Sequence, residues 1–151
     1  MPPESGSVRL RPMTRDDIAQ SVPLLAQLGY ELSAEELAQR FAAVTANPDR
    51  SLVIAEFAGR VVGLVHVFVR PAIENPREAV VQAIVVDLAH RRSGIGMALM
   101  AEAERWGREH ECRMVMLSSN VARAPAHAFY AGLGYHIAAT SYVLRKELSR
   151  R

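Results

Sequence analysis

The segment IVVDLAHRRSGIGMALM, residues 84–100, constrains the fold of this chain more than any other stretch. It is entered through AVVQAIVVD, a nearly continuous β-branched run suited to a strand covered on both faces. It leaves through residues 93–109, where Ile95, Leu99, Met100, Ala103 and Trp106 recur at helical spacing. Glu102, Glu104, Arg105, Arg108 and Glu109 fill the opposite, solvent-facing positions. Between strand and helix lies a tight basic turn. Gly94 and Gly96 let the backbone approach a bound anion without a Cβ in the way. The first amides of a helix have no partner within it and point outward, so Ser93, Gly94, Ile95, Gly96 and Met97 can form a phosphate cradle. Arg91 and Arg92 add positive charge beside it, which suits a diphosphate. A glycine pair alone often only shapes a turn; its place after a buried strand and two arginines favours a ligand.

Two familiar phosphate motifs fail on these letters. A P-loop needs Lys followed by Ser or Thr after the glycines, and none follows. The dinucleotide fingerprint needs a third glycine where Leu99 stands.

Elements of both kinds alternate around this centre. Residues 1–7 read as a flexible tail and 8–148 as one domain. VRLRP is a short first strand, and Thr14 with Asp16 and Asp17 starts a helix that Pro23 threatens to kink. Ser33 and Glu36 form a capping box for a second helix carrying Leu37, Phe41 and Val44. SLVIAEFAGRVVGLVHVFV reads as a hairpin turning at Ala58–Gly59. MVMLS is another buried strand, PAHAFYAGL a short helix, and TSYVLRKEL a closing strand. The order predicts an α/β fold: a mixed, twisted sheet of about six or seven strands with helices on both faces.

Composition narrows the function. With 18 Lys or Arg against 16 Asp or Glu, the net charge is only +2, and no basic tract alternates with aromatics, so a nucleic-acid partner is not expected. Cys112 is the lone cysteine, which rules out an internal disulfide and a cysteine-rich metal motif; no metal is expected. The start lacks the parts of a signal peptide and no apolar run reaches membrane-spanning length, so a cytoplasmic protein without a membrane partner is expected.

RRSGIG resembles the coenzyme A motif R/Q-x-x-G-x-G/A of the GNAT acetyltransferase superfamily, and AHAFYAGLGY resembles that family's second signature, A-x-x-F-Y-x-x-L-G-F/Y. The resemblance covers roughly residues 8–146 and implies a single GNAT-like domain using acetyl-CoA. It places the diphosphate on Arg91–Met97 and the pantetheine arm on the backbone of Ile84, Val85 and Val86, in a gap between residues 84–86 and 114–118. It puts Tyr130 near the cofactor sulfur, where its hydroxyl can give a proton to the departing thiolate. Asn120 resembles a cofactor-contacting asparagine, although it lies three residues earlier than in many relatives. Arg123 takes that usual position and is expected to reach a phosphate or cap its loop.

The general base is less well marked. Many relatives use a glutamate on the central strand, where this chain has Val80, and Gln82 cannot serve. His66 has a suitable intrinsic pKa and is the candidate, with Glu74 or Glu78 as loop alternatives. The expected reaction is acetylation of a primary amine, of a small molecule rather than a peptide, by direct attack in a ternary complex. A peptide N-acetyltransferase and a catalytically weak coenzyme A-binding regulator are the alternatives. The acceptor is expected near Leu28–Glu31, Phe68 and the loop PAIENPRE. Family members often pair, so a homodimer is a further expectation.

Overall fold

The computed structural model describes residues 7–119 and 124–149. The chain divides into two compact units, one ending at Ser118 and the other starting at Ser119. The first runs β1 (Arg9–Pro12), a 3-10 turn, α1 (Ile18–Gln27), α2 (Ala34–Thr45), β2 (Arg50–Phe57), β3 (Arg60–Arg70), β4 (Glu78–Val86), a second 3-10 turn, α3 (Ile95–Glu109) and β5 (Met114–Leu117). The strands form one sheet in sequence order, antiparallel from β1 to β4 and parallel between β4 and β5. The sheet is therefore mixed, as expected, with five strands among the described residues rather than six or seven.

Local chemistry sets the boundaries. The Thr14 amide and hydroxyl both donate to Asp17, at 2.7 and 3.2 Å, fixing the turn that leads into α1. Pro23 sits inside α1 without breaking it, because its fixed φ is helical and only one backbone bond is forfeited. Ser33 and Glu36 exchange the two bonds of a capping box, at 3.0 and 3.1 Å, at the start of α2. Ala58 and Gly59, at φ 51° and 76°, make the two-residue turn that matches the twist of β2 and β3.

The two faces of the sheet are covered by different helices. Adjacent strand residues point oppositely. Leu64 lies in the core with Leu24, Ile18 and Phe41 of α1 and α2. A Cβ at neighbouring Gly63 would fall 3.2 Å from Leu99 and 3.3 Å from Ile95 of α3. The face predicted for α3 is the one buried: Ile95, Leu99, Met100, Ala103 and Trp106 are all buried. Each large apolar side chain among them contributes about 1.5–3 kcal/mol.

In the second unit, α4 (Ala124–Gly132) ends at Gly134, whose φ is +94°. The Tyr135 and Gly134 amides donate to the Tyr130 and Ala131 carbonyls, each at 3.0 Å, the bonding of a Schellman cap. The expected closing strand TSYVLRKEL is not one: residues 135–149 carry neither helix nor strand. Alternating side chains do not make a strand without a ladder partner, and Tyr142 and Leu144 stand 94% and 89% exposed.

Candidate active site

Two features of the first unit meet at the end of β4. The ladder to β5 closes at the pair Val81–Leu117, yet β4 continues to Val86, and no other described strand pairs with that edge. Just before this stretch, the register with β3 slips between His66–Ala83 and Val67–Val81, a bulge that sets an extra residue, Gln82, into β4. Beyond it the strand's polar groups alternate in direction. The Asp87 amide donates to the Val62 carbonyl at 2.8 Å, so Val85 also turns its amide and carbonyl towards β3. Ile84 and Val86 consequently present theirs to the unpaired edge. The Val85 side chain is in the core between the sheet and α1.

The basic glycine turn comes directly after this strand. Arg91 lies along the strand end, its Nε donating to the Val86 carbonyl at 3.2 Å. Arg92 is left-handed at φ 66°, an uncommon state for a non-glycine residue and one that clusters at ligand sites. The Ser93 hydroxyl donates to the His90 carbonyl. Gly94 has φ +86° and forms the N-cap of α3, and a Cβ there would meet nothing within 4 Å. Glycine is required by the backbone conformation, and the space beside it is open.

No side chain caps α3, and no acidic residue sits in its first turn. Its first intrahelical bond comes from the Ala98 amide to the Gly94 carbonyl, at 3.0 Å, leaving the Ile95, Gly96 and Met97 amides without helical acceptors. Ile95 buries its side chain, while Arg91, Arg92, Ser93 and Met97 are exposed. This cradle fits a diphosphate: donors, positive charge and no carboxylate in the turn.

A clamp that the sequence did not advertise holds this turn to α1. Gln27, the last residue of α1, donates through Nε2 to Asp87 Oδ1 at 3.0 Å and accepts from the Leu88 amide at 2.8 Å. The Gln27 hydrogen bond, with His90 facing Oδ2 at 3.1 Å, holds the Asp87 carboxyl below its ordinary range. Partners sixty positions apart leave no local signal, although Asp87 before Leu88–His90 has the look of a cap.

The remaining candidates are spread over both units. His66 lines a cavity of about 300 Å³ on the α2 side of the sheet, with Ala43, Val44, Asn47, Arg50 and Phe68. Burial, then the nearby Arg50 charge, lowers its pKa below the ordinary histidine value. Glu78 is buried and ion-paired with Arg70 at 2.7 Å, and Glu74 is exposed on its loop. In the second unit Tyr130 lies on α4, its ring edge-on to Phe129 and Tyr135 at 5.1 and 6.1 Å. Asn120 and Arg123 lie outside the described residues. No described helix is long and apolar enough to cross a membrane.

Comparison with known proteins places the chain in a family. The acetyltransferase (GNAT) family profile matches residues 17–135. An N-acetyltransferase of Bacillus subtilis (strain 168) is 28% identical over 134 residues, 88% of this chain and 93% of that one. The aminoalkylphosphonate N-acetyltransferase of Salmonella typhimurium is 30% identical over 128 residues, 83% of each chain. Among solved structures, the aminoglycoside N-acetyltransferase AAC(6')-Iy in complex with CoA superposes with a TM-score of 0.86 at 17% identity, covering 98% of this chain and 100% of that one. The chain belongs to the GNAT family: it is an acetyltransferase, and acetyl-CoA is its cosubstrate.

Proposed function

We propose that this enzyme transfers the acetyl group of acetyl-CoA to the primary amine of a small molecule, by direct attack within a ternary complex. The observation that carries the donor half is the uncapped start of α3 beside the unpaired edge of β4. The acceptor half is supported by the relative that acts on aminoalkylphosphonates, small molecules with a primary amine. Acetyl-CoA supplies an activated acyl group as its thioester.

In this reading the Ile95, Gly96 and Met97 amides hold the diphosphate, with Gly94 keeping the approach clear and Arg91, Arg92 and Ser93 at its rim. Ile84 and Val86 offer backbone groups to the pantetheine arm, Val85 fixes the strand beneath, and the Val86 amide faces the carbonyl that gains charge during attack. Tyr130 gives its hydroxyl proton to the departing sulfur, and His66 takes the proton that the amine loses. A half-buried imidazole kept neutral is suited to that role.

The test is thiol release from acetyl-CoA with a panel of short primary amines, run on the full chain and on Tyr130→Phe. Amine-dependent release is expected, and the variant should lose about a hundredfold or more in kcat with coenzyme A affinity retained. Absence of amine-dependent release across the panel refutes the reading. Equal rates for the two proteins remove Tyr130 from the chemistry.

A further inference from the structure

Arg50 is out of balance with its surroundings. Of the other half-buried arginines, Arg11 binds two carboxylates and Arg70 binds Glu78, while Arg77 spends its Nε on the His110 carbonyl. Among the described residues no carboxylate pairs with Arg50. Its Nη2 donates to the Thr45 carbonyl at 3.1 Å, while Nε is buried with no acceptor. A guanidinium has five donors in a rigid fork, so most of this one's hydrogen-bonding capacity is unspent.

The position of that charge is defined by register. Arg50 on β2 pairs with Phe68 on β3, and Leu52 pairs with His66, so Arg50, His66 and Phe68 are direct and diagonal neighbours on one face. The His66 and Phe68 rings stand 6.3 Å apart. Together with Asn47 they line the cavity of about 300 Å³ beneath the end of α2, and no carboxylate is among its lining residues. Asn47 Oδ1 accepts from the Asp49 amide at 2.9 Å, which orients the side chain and leaves its two NH2 donors to offer. The Arg50 cation and the two Asn47 amide donors make one end of the chamber attract an acid, with the His66 imidazole beside them left for the acceptor's amine. Phe68 also pairs with Val80, and His66 with Ala83, which sets the chamber against the part of β4 where its bulge lies.

We propose that this cavity is the subsite for the acid group of the acceptor: the substrate is an amphoteric small molecule, a primary amine bearing a phosphonate, phosphate or carboxylate, whose oxygens are held by the Arg50 guanidinium and the Asn47 amide. The inference rests on the acetyl-transfer reading for the amine end and on Arg50 for the acid end. It makes Arg50 a specificity residue, since an anionic acceptor supplies the carboxylate-like partner that the fold withholds. An amine of the same length without an acid group leaves the guanidinium as it is.

Binding of 2-aminoethylphosphonate, β-alanine and ethanolamine to the full chain, measured calorimetrically without acetyl-CoA, separates the acid from the amine. The wild type should bind the two acid-bearing amines at least tenfold more tightly than ethanolamine. Arg50→Gln should weaken those two by about ten- to a hundredfold and leave ethanolamine unchanged, and Arg50→Lys should recover part of the loss. Preference between the two acids identifies the oxyanion. The His66 imidazole resonance provides a second readout: 2-aminoethylphosphonate should shift its titration upward in the wild type and not in Arg50→Gln. Equal binding of all three amines, or a uniform loss in both arginine variants, overturns the subsite. Acid-selective, Arg50-dependent binding without thiol release would sink the transfer reading and leave the subsite standing. Thiol release indifferent to the acid group and to Arg50 would do the reverse.

Discussion

At the scale of single residues, His66 carries the most chemical information. Burial and the Arg50 charge both oppose its protonation in the folded chain. An unfolded chain takes up the proton near about pH 6.5, where the folded imidazole is still neutral. Acidification below that point therefore favours unfolding until the lower folded pKa is reached. His66→Gln is expected to flatten this part of the stability curve in urea melts, and to abolish the acid limb of the rate profile, which should lie below about pH 6.5. A stability curve unchanged by the substitution would show that His66 is solvated. The alternation of LVHVF was enough to place His66 on one face of its strand. Arg50 was invisible, because its role depends on the pairing of β2 with β3, and a slip of one residue would turn its side chain to the other face. Gly94 was legible for the opposite reason: its demand for a positive φ is written in its own identity.

Between elements, the joint at Gln27 ties the end of α1 to Asp87 and Leu88, just ahead of the proposed phosphate turn. Both of its bonds are exposed, so each is a modest contributor of about 1 kcal/mol. Gln27→Leu should loosen the turn and weaken coenzyme A binding about fivefold with kcat nearly unchanged. Gln27→Glu should be worse, since it sets a second carboxylate against Asp87; titration calorimetry with coenzyme A reads both. If the two variants bind like the wild type, the joint does not position the turn. The phrase LGY occurs at the ends of α1 and α4, and the structure gives it one meaning. Gly29 has φ +107°, and the Tyr30 and Gly29 amides donate to Leu25 and Ala26 as Tyr135 and Gly134 do to Tyr130 and Ala131. Caps, the hairpin turn and the buried stripe of α3 are local or periodic, so they could be read from the letters. That TSYVLRKEL is not a strand could not, because pairing is decided by a neighbour that the segment itself does not encode.

For the molecule as a whole, one ionic node fastens the first strand to the turn before α1 and to β2. Arg11 grips both Asp17 oxygens at 2.8 Å and Glu56 at 2.6 Å. Arg11 holds the Asp17 carboxyl below its ordinary range, so the stability it confers is present above about pH 3.9 and is lost as pH falls through the lower folded value. Arg11→Met, which strands a nearly buried carboxylate, should cost about 2–3 kcal/mol at neutral pH and reduce that acid dependence, as equilibrium urea unfolding would record. An unchanged midpoint would make the node ornamental. The unpaired stretch of β4 acts on the same scale. A strand that stops sharing its peptide groups partway along must satisfy them with water, a guest or another chain. In the proposed complex the guest is the cosubstrate, so loading the enzyme also finishes its sheet. Binding there adds to the stability of the folded chain by mass action, the more so as free acetyl-CoA rises above its dissociation constant.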